Sequence, residues 1–310
     1  MKLHYYPGCT LKEKTTNLDD STVAAMDVLG YELIEPEGWT CCGAEYPLTE
    51  DKIVGLAAPV RILRQIEIEG ADKVTTTCAF CYSVLKRANK AMLDDPLKYK
   101  RINAFLKDDI KIDPVSNNKT TGFPEYGCTV DVVHLLEFLR DDVGYDKIRS
   151  CIKRDLNNMK VAAYYGCRLL RPNKEVGIDD PEDPTIFETF LETLGCEPID
   201  YPFKQECCGS YLSVSLPDAA SEASYQVLRS ASLNGADVIA LSCPLCYYNL
   251  DRRQKLIREH HPEFSGMPIL FFTQLLAWAL GVDEKILGLD QHYNDPGPVL
   301  HQYSSAEVSS

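Results

Sequence analysis

Gly70-Ala71-Asp72-Lys73-Val74-Thr75-Thr76-Thr77-Cys78 and Gly235-Ala236-Asp237-Val238-Ile239-Ala240-Leu241-Ser242-Cys243 follow one plan. In each, a Gly-Ala-Asp turn leads into a β-prone run that delivers a cysteine at its end. The runs that follow, Tyr82 to Met92 and Tyr247 to Glu259, are rich in helix formers, and Leu18 to Leu29 and Ala219 to Leu233 space their apolar residues helically. Leu3-His4-Tyr5-Tyr6 and Val161-Ala162-Ala163-Tyr164-Tyr165 read as opening strands. Strands alternating with helices predict an α/β protein with parallel sheets, whose ligands gather outside the carboxyl ends of the strands. Cys9, Cys78, Cys167 and Cys243 each follow a strand and would share that edge.

On either side of the two runs, the same ordered signals recur in each half. Tyr5-Tyr6-Pro7-Gly8-Cys9 answers to Tyr164-Tyr165-Gly166-Cys167, and Gly30-Tyr31-Glu32 to Gly195-Cys196-Glu197. Cys41-Cys42-Gly43 with Tyr46 nearby answers to Cys207-Cys208-Gly209 with Tyr211, and Leu135-Leu136 to Leu275-Leu276. The expected architecture is two pseudo-symmetric duplicated domains, residues 1–158 and 159–287, each a small, mostly parallel sheet flanked by helices, with a boundary near Asn157 to Lys160. Differences between the copies fall where loops are tolerated. The second copy carries an insertion at Pro172 to Pro184, and the first an extra segment at Pro96 to Tyr126, read as irregular around Asp113-Pro114 and Ser116-Asn117-Asn118. A C-terminal tail, residues 288–310, with Pro296-Gly297-Pro298 and a Ser-rich end, reads as lacking a packed core. The apolar stretch Pro268 to Gly281 reads as core helix.

The chain has 310 residues, 45% of them hydrophobic and 25% charged, which fits about two globular domains and excludes wholesale disorder. Its net charge of -14 argues against gripping a phosphate backbone, so no nucleic-acid partner is expected. Met1 to Pro7 has no basic stretch followed by an apolar one, and Pro268 to Leu280 is too short for a bilayer. The expectation is a cytoplasmic protein without a membrane span.

The unusual count is 13 cysteines, an odd number in a long chain, which disfavours a disulfide scaffold. One copy reads Cys9-x31-Cys41-Cys42-x35-Cys78-x2-Cys81 and the other Cys167-x39-Cys207-Cys208-x34-Cys243-x2-Cys246. Cys128, Cys151 and Cys196 stand outside the repeat and read as packing thiols. A Cys-x-x-Cys pair alone fits a zinc half-site, a redox dithiol or part of an iron-sulfur motif. Structural zinc and ordinary cubane clusters take four ligands, whereas each copy supplies five. Adjacent thiolates suit neighbouring irons of one cluster better than a single ion, and soft thiolates select iron-sulfur or zinc.

This duplicated pattern, with Cys41-Cys42-Gly43 and Cys207-Cys208-Gly209, resembles the CCG-domain family typified by the B subunit of heterodisulfide reductase, over nearly the whole chain. The resemblance implies two noncubane 4Fe-4S clusters, one held by Cys9, Cys41, Cys42, Cys78 and Cys81, the other by Cys167, Cys207, Cys208, Cys243 and Cys246. It further implies an enzyme subunit that reduces a disulfide, CoM-S-S-CoB or a related heterodisulfide, to two thiols by single-electron transfer, each product sulfur being captured by an iron before release. Electrons would arrive from the iron-sulfur C subunit and the flavin-bearing A subunit of such a complex, with a hydrogenase or formate dehydrogenase as further partners; the chain has no flavin or nucleotide motif of its own. The spacer after Cys208 is one residue shorter than the usual pattern, a departure that bears on the second site's detailed geometry. Two alternatives stand beside this reading: an electron-relay subunit of another oxidoreductase without disulfide cleavage, and a zinc-binding scaffold.

Basic residues follow the first cysteine of each copy: Lys12 and Lys14 after Cys9, Arg168 and Arg171 after Cys167. Arg168 and Lys14 are the candidate substrate-binding residues for an anionic disulfide, with a solvated loop as the bland reading. Gly43 and Gly209 read as positive-φ positions or close approaches to a cluster. Tyr46 and Tyr211, and His4, His134, His260 and His261, read as packing or surface groups.

Overall fold

The structure is a computed structural model, and it describes residues 1–44, 53–112 and 119–303. The first half contributes strands β1 (Lys2–Tyr5), β2 (Glu32–Ile34) and β3 (Lys73–Thr76), a hairpin of β4 (Lys111–Ile112) and β5 (Lys119–Thr120), and β6 (Asp131–His134). The second half contributes β7 (Lys160–Tyr164), β8 (Glu197–Pro198), β9 (Val238–Leu241) and β10 (Ile269–Phe271). Two four-stranded sheets result, ordered β2-β1-β3-β6 and β10-β9-β7-β8, and every neighbour within them is parallel. Reading the second order backwards superimposes it on the first, strand for strand. The α/β class and the duplication expected from the sequence are both present.

Helices cover the faces, which is why the central strands are buried on both sides: Val74, Thr75 and Thr76 of β3 and all of β9 are inaccessible. The run after Cys78 is one continuous helix, Ala79–Asp94, whereas the run after Cys243 breaks into helix Pro244–Tyr247, a π-helical turn Tyr248–Arg252 and helix Gln254–His260. The halves share one core. Helix Thr16–Val28 of the first half packs on helix Phe272–Ala279 of the second, where Ser21 Oγ meets Thr273 Oγ1 at 2.7 Å. Phe272 also packs against Phe187, Phe190 and His134, with ring centroids 5.7 to 6.0 Å apart.

Three expectations need correction, and the first copy's extra segment proves partly helical. Leu135-Leu136 and Leu275-Leu276 are not equivalent positions: Glu137 accepts from the His134 N–H (2.9 Å) and Gln274 from the Phe271 N–H (2.8 Å), so Leu135 answers to Phe272. A slip of three residues keeps an apolar pair on the same helix face, so the pattern alone could not detect it. Pro268 to Gly281 is buried as expected, but its start is strand β10 and only Phe272–Ala279 is helical. The segment from Pro96 contains helix Pro96–Lys107, capped by Asp95 Oδ1, which accepts from the N–H groups of Leu97 and Lys98. Asp113-Pro114 and Ser116-Asn117-Asn118 lie outside the described residues. The tail does not stand free up to Tyr303: helix Gly297–Tyr303 buries Leu300, and Gln291 and His292 bond to Asn17 of the first half. Gln274, Asp251 and Asp237 tie the same strap to the second half.

Candidate metal centre

Because every strand of the two four-stranded sheets is parallel, the segments leaving β1, β3, β7 and β9 emerge on one edge per sheet, and each carries a cysteine within a few residues. Tyrosines fix the vicinal pairs beside them. The Tyr6 hydroxyl donates to Thr40 O at 2.8 Å and the Tyr164 hydroxyl to Glu206 O at 2.7 Å, in each case the carbonyl just before Cys41-Cys42 or Cys207-Cys208. Burial and the surrounding cysteines hold both phenols in the neutral, donating form.

The ten repeat cysteines neighbour one another in a single file, in which three links are direct Sγ–Sγ approaches. Cys9 Sγ lies 3.5 Å from Cys41 Sγ, Cys41 adjoins Cys42, Cys42 Sγ is 3.7 Å from Cys81 Sγ, and Cys81 adjoins Cys78. Cys78 then meets Cys243 across the junction of the halves. The second half runs the same order in reverse: Cys243 to Cys246, Cys246 Sγ to Cys208 Sγ at 3.6 Å, then Cys207 and Cys167. Cys9 and Cys41 are exposed and Cys167 and Cys207 partly so, while the six in between are buried. The file thus runs from surface to centre to surface. It does not close as a shell, and among the described residues no three His, Cys, Asp or Glu side chains surround a point that a single ion could occupy.

Thiols this close cannot all ionise on their own. Hydrogen bonds from Cys41 and Cys81 pull the Cys42 thiol down, while the bond to Cys42 pushes Cys41 up; Cys167 and Cys208 likewise pull Cys207 down while the bond to Cys207 pushes Cys167 up. Five thiolates per half need positive charge among them, which suits a cluster of several irons. The backbone also leaves space at the sulfurs. A Cβ on Gly8 (φ 81) would fall 2.8 Å from Cys81 Sγ, and one on Gly166 (φ 61) would fall 3.3 Å from Tyr164 and 3.5 Å from Cys246 Sγ. The residues present therefore fit an iron-sulfur group in each half.

A family model for the cysteine-rich domain, CCG, matches residues 3–86 and again 161–251, together more than half of the chain. The chain belongs to the CCG family. Its curated relatives include the membrane anchor subunit of the 8-methylmenaquinol:fumarate reductase of Wolinella succinogenes, 33% identical over 94% of this chain and 96% of the relative. Another is the B subunit of the ferredoxin/F420H2-dependent CoB-CoM heterodisulfide reductase of Methanosarcina acetivorans, 31% identical over 94% of this chain and 93% of the relative. Among solved structures, a hypothetical protein from Helicobacter pylori shares the fold, with a TM-score of 0.70 at 13% identity, covering 94% of this chain and 51% of that one. The relatives identify an oxidoreductase-type subunit. No helix among the described residues is long and apolar enough to cross a membrane.

The CCG glycines take positive φ as expected, 81° at Gly43 and 80° at Gly209, but the close approach at Gly209 is to Ala220 and Ala223 of helix Pro217–Leu233, not to a sulfur. Arg168 joins the CCG halves: its guanidinium carbon lies 5.1 Å from the Phe80 ring, between Cys78 and Cys81, and 5.3 Å from the Tyr211 ring. Lys14 is exposed. Lys12 is held by Asp19 (2.7 Å) and Glu35, and Arg171 by Gln205 (3.0 Å) and Pro181 O (3.3 Å). Tyr46 lies outside the described residues. Cys128, Cys151 and Cys196 make no contact with the file among the described residues, and burial pushes the Cys128 thiol up to about 11. Gly8 and Gly166 do not stand out in the sequence as site residues, although both sit inside the repeat.

Proposed function

We propose that this chain is the disulfide-reducing subunit of a heterodisulfide reductase-type complex, in which Cys9, Cys41, Cys42, Cys78 and Cys81 hold one noncubane 4Fe-4S cluster and Cys167, Cys207, Cys208, Cys243 and Cys246 the other. The observation that carries the reading is the file of ten neighbouring thiols, five from each half, with Cys78 and Cys243 as neighbours where the halves join. Clusters held there would supply one-electron transfers, and two sites in contact supply the pair that a disulfide needs: one S–S bond breaks, two electrons and two protons are taken up, and two S–H bonds form. The chain's own residues bind and orient. Arg168, fixed against Phe80 and Tyr211 beside Cys167, offers a cation for an anionic disulfide such as CoM-S-S-CoB, and exposed Lys14 offers a second beside Cys9. Electrons would come from an iron-sulfur C subunit and a flavin-bearing A subunit in the cytoplasm.

The 33% identity to a fumarate reductase anchor subunit favours a second reading, a relay that passes electrons without cleaving a disulfide. Anaerobic assay with a reduced viologen as one-electron donor and a heterodisulfide as acceptor separates the two. Disulfide reduction releases two thiols for every two viologens oxidised; a relay takes up electrons and releases no thiol.

A further inference from the structure

Aligning the two copies on their cysteines brings out one buried position where they differ in kind. Offset by the spacing of Cys81 and Cys246, Val84 of the first half answers to Asn249 of the second. Both are buried, Val84 at 2% exposure and Asn249 at 0%. Val84 lies in the unbroken helix Ala79–Asp94, whereas Asn249 lies in the π-helical turn Tyr248–Arg252, a local widening that often marks a functional site.

Asn249 aims its amide at Cys208. Its Nδ2 donates to Cys208 O at 3.0 Å and to Cys208 Sγ at 3.7 Å, a separation ordinary for the larger sulfur atom. Its Oδ1 accepts from Arg253 Nε at 2.9 Å and Ser213 Oγ at 3.0 Å. That fixes which end faces the sulfur, because a guanidinium has no acceptor and can only bond the oxygen. Arg253 is itself held by neutral groups, Pro217 O at 3.1 Å, Ser221 Oγ at 3.3 Å and Ser213 O at 2.9 Å. Among the described residues no carboxylate pairs with it, so its charge polarises the amide toward Cys208. Ser224 adds a bond from its Oγ to Cys208 O at 2.9 Å.

The first half has none of these donors at the matched positions. Val84 stands for Asn249 and Ala88 for Arg253, and Pro59, next to the Ala58 that faces Gly43 as Ala223 faces Gly209, stands for Ser224. Among the described residues the Cys42 thiol meets only other thiols and backbone amides. Backbone amides reach sulfurs in both halves, through Gly43 at Cys41, Ala44 at Cys42 and Gly209 at Cys207. Among the described residues a side-chain amide reaches a repeat cysteine at Cys208 and not at Cys42.

We propose that Asn249, backed by Arg253, is a positioning residue that gives the second site a higher reduction potential than the first, so that the first electron to enter the chain rests on the second site. The proposal depends on the two-cluster reading above. Reduction adds negative charge that a cluster shares with its sulfurs, and an N–H aimed at a ligand sulfur favours the reduced form. The step is a single electron from an external one-electron donor, with no bond made or broken in the protein.

The test is a potentiometric titration of the anaerobically purified chain, followed by electron paramagnetic resonance, on the unaltered protein and on Asn249→Val, which copies the first half. We expect two titrating components in the unaltered protein, with only the higher one moving down in the variant, at unchanged iron content. If Asn249→Val does not load iron, Asn249→Asp keeps the shape and still accepts from Arg253 and Ser213 but presents no N–H to Cys208, and the same component should fall. Two components that keep their midpoints, or that shift together, overturn the proposal and leave the two-cluster reading standing. A chain that carries no iron overturns both.

Discussion

At Gly8 the backbone takes φ 81°, and a Cβ there would lie 2.8 Å from Cys81 Sγ; at Gly70 φ is 78° with nothing within 4 Å of the same Cβ. The pair separates backbone strain from crowding at a sulfur. Gly70→Ala should cost only the left-handed strain, about 1–2 kcal/mol, and leave iron content intact. Gly8→Ala carries the same strain and also displaces Cys81, so iron content should fall toward half. Denaturation midpoints and iron analysis of the two variants check this, and equal iron contents would mean that the space at Gly8 is not needed. Residue by residue, the cysteine repeat was legible because identity and spacing are all that a ligand set requires. Gly8 was not singled out, since many glycines here take positive φ and only the fold reveals which one faces a sulfur. Asn249 was missed for a different reason: a search for repeats rewards sameness, and the informative residue is the one that differs.

At the scale of elements, the turn that delivers Cys78 is pinned from the neighbouring strand. His134, the last residue of β6, is fully buried; its Nε2 meets Thr77 O at 3.0 Å and its Nδ1 accepts from the Leu136 N–H at 3.2 Å. Burial holds the imidazole neutral, down to about 3 against an ordinary 6.5. Between those values the unfolded chain binds the proton and the folded chain does not. Stability from this group is therefore complete above about pH 6.5 and is lost as pH falls through the window, with a slope approaching about 1.4 kcal/mol per pH unit. His134→Phe, which installs the residue type found at the matched position Phe271, should lower stability at pH 7 by about 1–3 kcal/mol, because Thr77 O and the Leu136 N–H lose their partner. It should also flatten the decline of the denaturation midpoint between pH 7 and pH 5; an unchanged decline would show that His134 does not contribute to it. The β-prone runs and the helix after Cys78 could be read from pattern because they are long and periodic. The break after Cys243 could not, since the apolar spacing continues through it and the π-helical turn at Tyr248–Arg252 shows only in the fold.

At the scale of the molecule, the duplication was legible and the joining of the copies was not. Insertions that looked like disposable loops act as clasps: Tyr82 of the first half donates to Val176 O, and Arg140 to Ile178 O, both within the second copy's insertion. The strap from Gly288 to Tyr303 likewise touches both halves, its polar residues being matched to Asn17, Asp251 and Gln274, partners far away in sequence. Such pairings leave no local signature. Their effect is to bring Cys78 and Cys243 together, so that two five-cysteine sets become one file of ten. Whether this file holds two iron-sulfur clusters is decided by iron and acid-labile sulfide analysis of the anaerobically purified chain. Two such clusters bring about eight irons and about eight sulfides per chain, falling to about half in Cys42→Ser and unchanged in Cys128→Ser. Zinc in place of iron, or iron lost equally from both variants, would contradict the two-cluster reading.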